Sequence, residues 1–385
     1  IINKRFEELK LSEYQSHMYM TRPKCETYMA KVFNRKRNFI DASFAIHLIT
    51  VVNLLEIEGN ASLTGIDLQH SCIGSENAKH VARGISFSAS LTSIDLSWNE
   101  LGDVGVKHIA EGISVSASLT SIDLGYNSVG KEMALQLVEI FKEKQMVSVG
   151  LANCNLGVDG AQAVAEYISV SASLTSINLN ANGIGPEGAE HIAKGIADST
   201  SLTSIDLSMN SLDDEGAKHI TKGIAVSALL TSINLSSNHL HNYGAKYVAE
   251  GISASASLTD INLNSNFIGD EGVKHIADAI AVSASAVRCL NLKSNNFGFE
   301  GVKHIAEGIA VSASLTECNM RGNYFNADLA TVLAKVGTEK QIMLFGIRHD
   351  QVEANFAQQF LRTADAVLIE SDLTVSASLT SINLQ

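Results

Sequence analysis

A stretch of 28 residues, from Ser88 to Val115, reads SASLTSIDLSWNELGDVGVKHIAEGISV, and the same wording starts again at Ser116. Versions of it begin at Ser171, Ser199, Ser227, Ser255 and Ser312, with a partial one at Ser376. Self-similarity at a fixed period constrains the fold more than composition does. Each unit is one supersecondary element that cannot bury its apolar side alone and must stack on its neighbours. A length of 385 residues would otherwise suggest two or three domains.

Each unit has two halves. The first, Leu91-x-x-Ile94-x-Leu96-x-x-Asn99-x-Leu101, alternates apolar and polar residues as a short strand does, and an Asn closes it. The second half opens on Gly102-Asp103-Val104-Gly105 and continues as a helix, with Val106, Ile109, Ala110 and Ile113 at i, i+3, i+4, i+7 on one stripe. Asp103 is expected to cap its own helix, and Pro186 in a sister unit stands in the first turn, where a missing N–H is tolerated.

The pattern L-x-x-L-x-L-x-x-N-x-L on a 28-residue strand–helix period resembles the ribonuclease-inhibitor type of leucine-rich repeat, over roughly residues 61–350. The near-identical wording of the units is also similar to that of the eukaryote-like leucine-rich-repeat effectors of intracellular bacteria such as Legionella. The resemblance implies an α/β solenoid with parallel strands on a concave face and helices on a convex one. It also implies a binding role: a partner protein held on the concave face, which is a host protein if the effector likeness holds. Two other functions are implied by similar repeats. The Ran-activating family of GTPase-activating proteins carries an acidic tail and a functional arginine, neither of which is matched here. The sensor part of an NLR-like multidomain protein is the second.

The expected organisation is a basic helical cap over 1–60, repeats over 61–350, and a C-terminal helix with a truncated last repeat over 351–385. Residues 1–44 carry nine Lys/Arg against five acids, a balance of +4 within a chain of net charge −13. The acidic remainder argues against nucleic acid as a partner and suits a basic protein. Ala45 to Ile57 reads as a degenerate repeat helix. Repeat cores are expected to start at Leu63, Leu91, Leu119, Met146, Leu174, Leu202, Leu230, Leu258, Val287, Leu315 and Ile342. Asp350 to Glu370 reads as one longer helix, with Val352, Phe356, Phe360 and Leu361 at helical spacing. The wording VSASLTSINLQ returns at Val375, so an open last strand and self-association through 375–385 are expected.

The five cysteines, Cys25, Cys72, Cys154, Cys289 and Cys318, show no disulfide framework and read as reduced thiols of a cytoplasmic protein, in the host cytosol for an effector. There is no run long enough to span a membrane. No phosphate loop, H-E-x-x-H, zinc spacing or G-x-S-x-G elbow occurs, so the chain reads as a non-enzyme without cofactor or metal.

Three ladders recur. Asn99, Asn127, Asn182, Asn210, Asn238, Asn266, Asn295 and Asn323 are expected to satisfy backbone groups where the strand turns away, with Cys154 in one such slot. His80, His108, His191, His219, His275 and His304 read as helix-boundary residues. Gly84, Gly112, Gly195, Gly223, Gly251 and Gly308 permit either a left-handed terminus or close helix packing.

The informative residues are those the repeat leaves free: the third, fifth and seventh positions, facing the concave side, and the eighth on its rim. The fifth is acidic early, at Asp67, Asp95 and Asp123, and largely neutral late. The eighth reads His70, Trp98 and Tyr126 in three successive units. The seventh turns basic late, at Lys293, Arg321 and Arg348, with Glu317 nearby. Trp98 and Tyr126 are expected about 5 Å apart, the spacing of neighbouring strands. Asp95 and Asp123 should form a second pair beside them, fit for a partner loop carrying Arg or Lys. Reversing the charge at Arg321 is expected to act on association rate and salt dependence, as rim charges do.

Overall fold

The computed structural model describes residues 64–282, 286–359 and 361–384. The basic N-terminal segment, the helix expected at Ala45 to Ile57, Cys25, Leu63 and Phe360 lie outside the described residues.

Strand and helix alternate throughout. The first units are β1 (Gly65–Asp67), α1 (Gly74–Phe87), β2 (Ser93–Asp95), α2 (Gly102–Val115), β3 (Ser121–Asp123) and α3 (Lys131–Lys142). The middle of the stack is β4 (Ser148–Gly150), α4 (Gly157–Val170), β5 (Ser176–Asn178), α5 (Gly185–Asp198), β6 (Ser204–Asp206) and α6 (Asp213–Val226). Then come β7 (Ser232–Asn234), α7 (Asn242–Ala254), β8 (Asp260–Asn262), α8 (Asp270–Ala281), β9 (Cys289–Asn291) and α9 (Phe299–Val311). The last are β10 (Glu317–Asn319), α10 (Ala327–Lys340), β11 (Glu353–Asn355), α11 (Thr363–Val375) and β12 (Ser381–Asn383).

Strands β1 to β10 form one parallel sheet in chain order, and equivalent residues face each other: Ile94 pairs with Ile122, and Asp95 with Asp123. This is an α/β solenoid of leucine-rich repeats. Leu91, Ile94, Leu96 and Leu101 of the first half of the unit and Val106, Ile109, Ala110 and Ile113 of the helix are all buried, so one apolar layer runs between sheet and helices. Each unit adds about 4.8 Å on the strand side and about 10 Å on the helix side. The stack therefore bends toward its strands, and the sheet lines the concave face.

The Asn ladder works between units. The Asn210 carboxamide donates to the carbonyls of Leu179, Leu207 and Ser208 and accepts from the amides of Asn182 and Ile184. The recurrent glycines serve close packing: a Cβ at Gly112 or Gly223 would sit 2.5 or 2.6 Å from the carbonyl oxygen of Ala82 or Ala193 on the preceding helix. Asp103 departs from expectation. It caps the next unit instead of its own helix, its carboxylate accepting from the Gly130 amide at 2.6 Å. Asp214, Asn242 and Asp270 make the same forward bond, to His241, Gly269 and Gly298. Pro186 stands in the first turn of α5 as expected.

The end of the stack differs from the sequence reading. Ile342 begins no regular strand; only an isolated bridge joins Glu317 to Met343, and the ten-stranded sheet stops at β10. Asp372 stands at the break. It occupies the slot that Gly308 fills two helices earlier, and its buried carboxylate accepts from the amides of Leu344 and Phe345 at 2.5 and 2.9 Å. Burial pushes that carboxyl up to about 7. The single helix expected from Asp350 to Glu370 is also absent: β11 and a turn precede α11. Ala354 pairs with Ile382, so residues 351–359 are a disguised repeat unit. Ala354 and Phe356 are buried while Glu353 and Asn355 are exposed, which follows a strand's period of two and not a helical one.

Candidate concave-face site

The fifth-position residues do a structural task first. One side-chain oxygen of each accepts the amide two residues on: Asp67 from Gln69, Asp95 from Ser97, Asp123 from Gly125, Asn178 from Asn180, Asn291 from Lys293. Asp and Asn perform it equally, so the choice between them decides only whether the concave floor carries charge. The eighth position lies in the left-handed region, with φ of 55° at His70, 60° at Trp98 and 57° at Tyr126. Trp98, in that slot, is 44% exposed.

The three rings form a ladder. Trp98 stacks on Tyr126 with centroids 4.0 Å apart and planes 7° apart, and on His70 at 5.2 Å and 27°. The Tyr126 hydroxyl donates to the Asn180 carboxamide oxygen two units away. Burial, and then the charge of Asp206, pushes that phenol above its ordinary range. Between Tyr126 and Asn180 the seventh position is small, Gly125 and then Ala152. Asn180 was missed from the sequence; the run of Gly125, Gly150 and Ala152 among otherwise polar positions was the available signal.

Beside the ladder lies a hollow of about 220 Å³ lined by the serine row Ser93, Ser121, Ser148 and Ser176, with Asp95, Asp123, Gly150 and Asn178. Asp123 leans over Gly150, where a Cβ would meet its carboxyl carbon at 2.3 Å. Burial raises the Asp123 carboxyl; the Gly125 amide opposes this and the Asp95 charge adds to it. Asp67 and His70 extend the row to the exposed first strand.

The far end is built differently from the expected basic row. The third position, serine through most of the stack, becomes Asp260, Cys289 and Glu317 on adjacent strands. Burial, then the charges of Glu317 and Asp260, pushes the Cys289 thiol up to about 12. Glu317 also accepts from the His349 amide. Lys293 is half-buried, its ammonium lowered by burial and then by Arg321. Arg348 stands on no regular strand and pairs with Asp350 at 3.6 Å.

Arg321 is no free rim charge. Its guanidinium lies 5.3 Å from the Phe345 ring centroid and 5.8 Å from that of Phe356, and it reaches the Gln359 carbonyl at 3.5 Å. It ties the ten-stranded sheet to the terminal two-stranded one. Arg321→Glu is therefore expected to lower stability by roughly 1–3 kcal/mol, because both cation–π interactions disappear and a carboxylate is set against the two rings. A urea midpoint unchanged by the substitution would contradict that role.

The described cysteines, Cys72, Cys154, Cys289 and Cys318, are free thiols. Of the helix histidines expected at boundaries, His108, His219 and His304 stand beside acids on their own helices, at 3.5 Å from Glu111, 3.7 Å from Glu215 and 3.9 Å from Glu307. Among the described residues no group of three or more His, Cys, Asp or Glu could hold a metal ion, and no helix is long and apolar enough to cross a membrane.

The family profile described as Leucine Rich repeat matches residues 87–110, 170–193, 198–220, 226–249 and 254–277. No curated protein matches the chain. Among solved structures it is similar to the leucine-rich-repeat protein LegL7 of Legionella pneumophila, at 15% identity and a TM-score of 0.42, over 72% of this chain and 97% of that one. It is similar to the yeast Rad7 and Elc1 complex at 13% identity and 0.40, over 83% and 94%. It is also similar to the TLR13–ssRNA13 complex at 17% identity and 0.42, over 71% of this chain and 35% of that one.

Proposed function

We propose that this protein is a binding scaffold that holds another protein on its strand-lined face, at the end built by β1 to β5, and does no chemistry of its own. The observation that carries the reading is the ladder of His70, Trp98 and Tyr126, left open on a face otherwise floored by serine, Asp and Asn. Exposed Trp and Tyr are the residue types enriched at binding hot spots. These rings are already stacked, and Tyr126 is anchored through Asn180, so little side-chain freedom remains to be lost on association. Asp67, Asp95 and Asp123 give this end its sign and favour a partner segment with positive charge. Lys293, Glu317, Arg321 and Arg348, at the far end, contribute through a mixed-charge surface and not as one basic row.

A bacterial effector acting on a host protein, in the host cytosol, is the finer form of this reading; it rests on the near-identical wording of the units. The test is affinity capture run in parallel with the parent protein and a Trp98→Ala/Tyr126→Ala variant whose circular dichroism matches the parent. A partner retained by the parent and lost from the variant supports the reading. A partner retained equally by both overturns it.

A further inference from the structure

The hollow between β2 and β5 holds unmet charge. Asp95 and Asp123 are neighbours across the strand ladder. Asp95 commits one oxygen to the Ser97 amide and hydroxyl, and Asp123 commits one to the Gly125 amide. Neither has an ion-pair partner among the described residues, although other carboxylates of the chain, such as Glu190 and Glu215, have Lys beside them. The missing side chain at Gly150 makes room for the Asp123 carboxyl, which lies over it, and Ser93, Ser121 and Ser148 line the same hollow. The aromatic ladder stands three residues on from each Asp, so a segment seated in the hollow continues past the exposed Trp98 side chain.

We infer that this hollow seats one arginine side chain of the partner, its guanidinium bridging Asp95 and Asp123. The inference rests on the scaffold reading above and names the chemistry of its anchor. Arginine fits better than lysine because its planar fork presents parallel N–H donors that two carboxylates on neighbouring strands, about 4.8 Å apart in backbone, can share, with further donors left for serine hydroxyls. An ammonium is a compact, strongly hydrated point charge without that planar, two-pronged match.

Trp98 is the chain's single tryptophan, so its fluorescence reports on this end alone. The experiment titrates the full chain with the blocked peptide Gly-Ser-Arg-Ser-Gly, and with versions carrying lysine or citrulline in place of arginine. Saturable change in Trp98 emission is expected with arginine, with an apparent affinity several-fold weaker for lysine and at least tenfold weaker for uncharged citrulline. Asp123→Asn should weaken the arginine peptide about tenfold. That variant keeps the fold's own hydrogen bond, because Asn178, Asn234 and Asn262 accept the same amide in other units. Citrulline binding within twofold of arginine, or an Asp123→Asn variant that binds as the parent does, would overturn the proposal. So would a neutral oligosaccharide that saturates the Trp98 signal where the arginine peptide does not, which would make the site one for glycan. The two levels separate cleanly. If the arginine peptide binds but a captured partner is indifferent to Trp98→Ala/Tyr126→Ala, the hollow stands and the scaffold reading falls. If the partner depends on the ladder but arginine and citrulline are equivalent, the scaffold reading stands and the arginine anchor falls.

Discussion

Asn210→Ala is expected to destabilise the protein by at least about 2 kcal/mol, because a buried backbone group left without a partner costs about 1–3 kcal/mol. This substitution strands two, the amides of Asn182 and Ile184, while the carbonyls of Leu179, Leu207 and Ser208 each lose one donor and keep another. Asn210 is fully buried, so water reaches those groups only by parting two units. Because a solenoid is held by nearest-neighbour interfaces, the loss should also lower cooperativity, with the units on either side melting separately. The converse test is already written into the chain. Cys154 fills the same slot, and no carboxamide there meets the amides of Asn127 and Val129. Its thiol reaches only the Ala152 carbonyl, at 3.5 Å. Cys154→Asn should raise stability by about 1 kcal/mol. Urea denaturation followed by circular dichroism reads both. A change under about 1 kcal/mol for Asn210→Ala would mean that the ladder is not what joins the units.

Trp98→Ala is expected to weaken partner binding by at least ~2 kcal/mol, the hot-spot threshold, which is about a thirtyfold rise in Kd. Its effect on stability should stay near the value of its closer stacking, on Tyr126, about 0.5–1.5 kcal/mol. Two observations separate the effects. The side chain is 44% exposed, so it supports little of the core. Alanine is also native to this backbone geometry, because Ala181 occupies the equivalent slot with φ of 56°. A binding titration beside a thermal melt distinguishes the outcomes. Loss of fold would place Trp98 in the core; unchanged binding would move the site to the helical face or the basic N-terminal segment.

The repeat made most of the architecture legible, because a period of 28 residues leaves each residue type one place to go. Leucine and isoleucine at the first, fourth, sixth and eleventh positions point inward in every regular unit, and asparagine at the ninth has only backbone to bond. The stacking of Trp98 on Tyr126 followed from the same register. What the sequence hid was what breaks the repeat. Phe356 reads as helical because Val352 stands four residues before it and mimics a helix stripe, although counting 28 back from Ile382 marks Ala354 as a strand residue. Asp372 replaces a packing glycine, and its role shows only in the amides of Leu344 and Phe345 that its carboxylate accepts from. Arg321 reads as a rim charge because its partners, Phe345 and Phe356, belong to units whose register that break has shifted. Asp103 reads as a cap for its own helix because a sequence read along one unit does not show the next helix N-terminus above it.

The central claim is that the partner covers the aromatic end of the strand-lined face. Hydroxyl-radical footprinting of the protein with and without its partner tests this most directly, since aromatic side chains report their own exposure. Trp98 and Tyr126 are expected to become protected on binding, while Tyr243 in the first turn of α7, 71% exposed, keeps its reactivity. Protection of Tyr243 with Trp98 still fully reactive would contradict it.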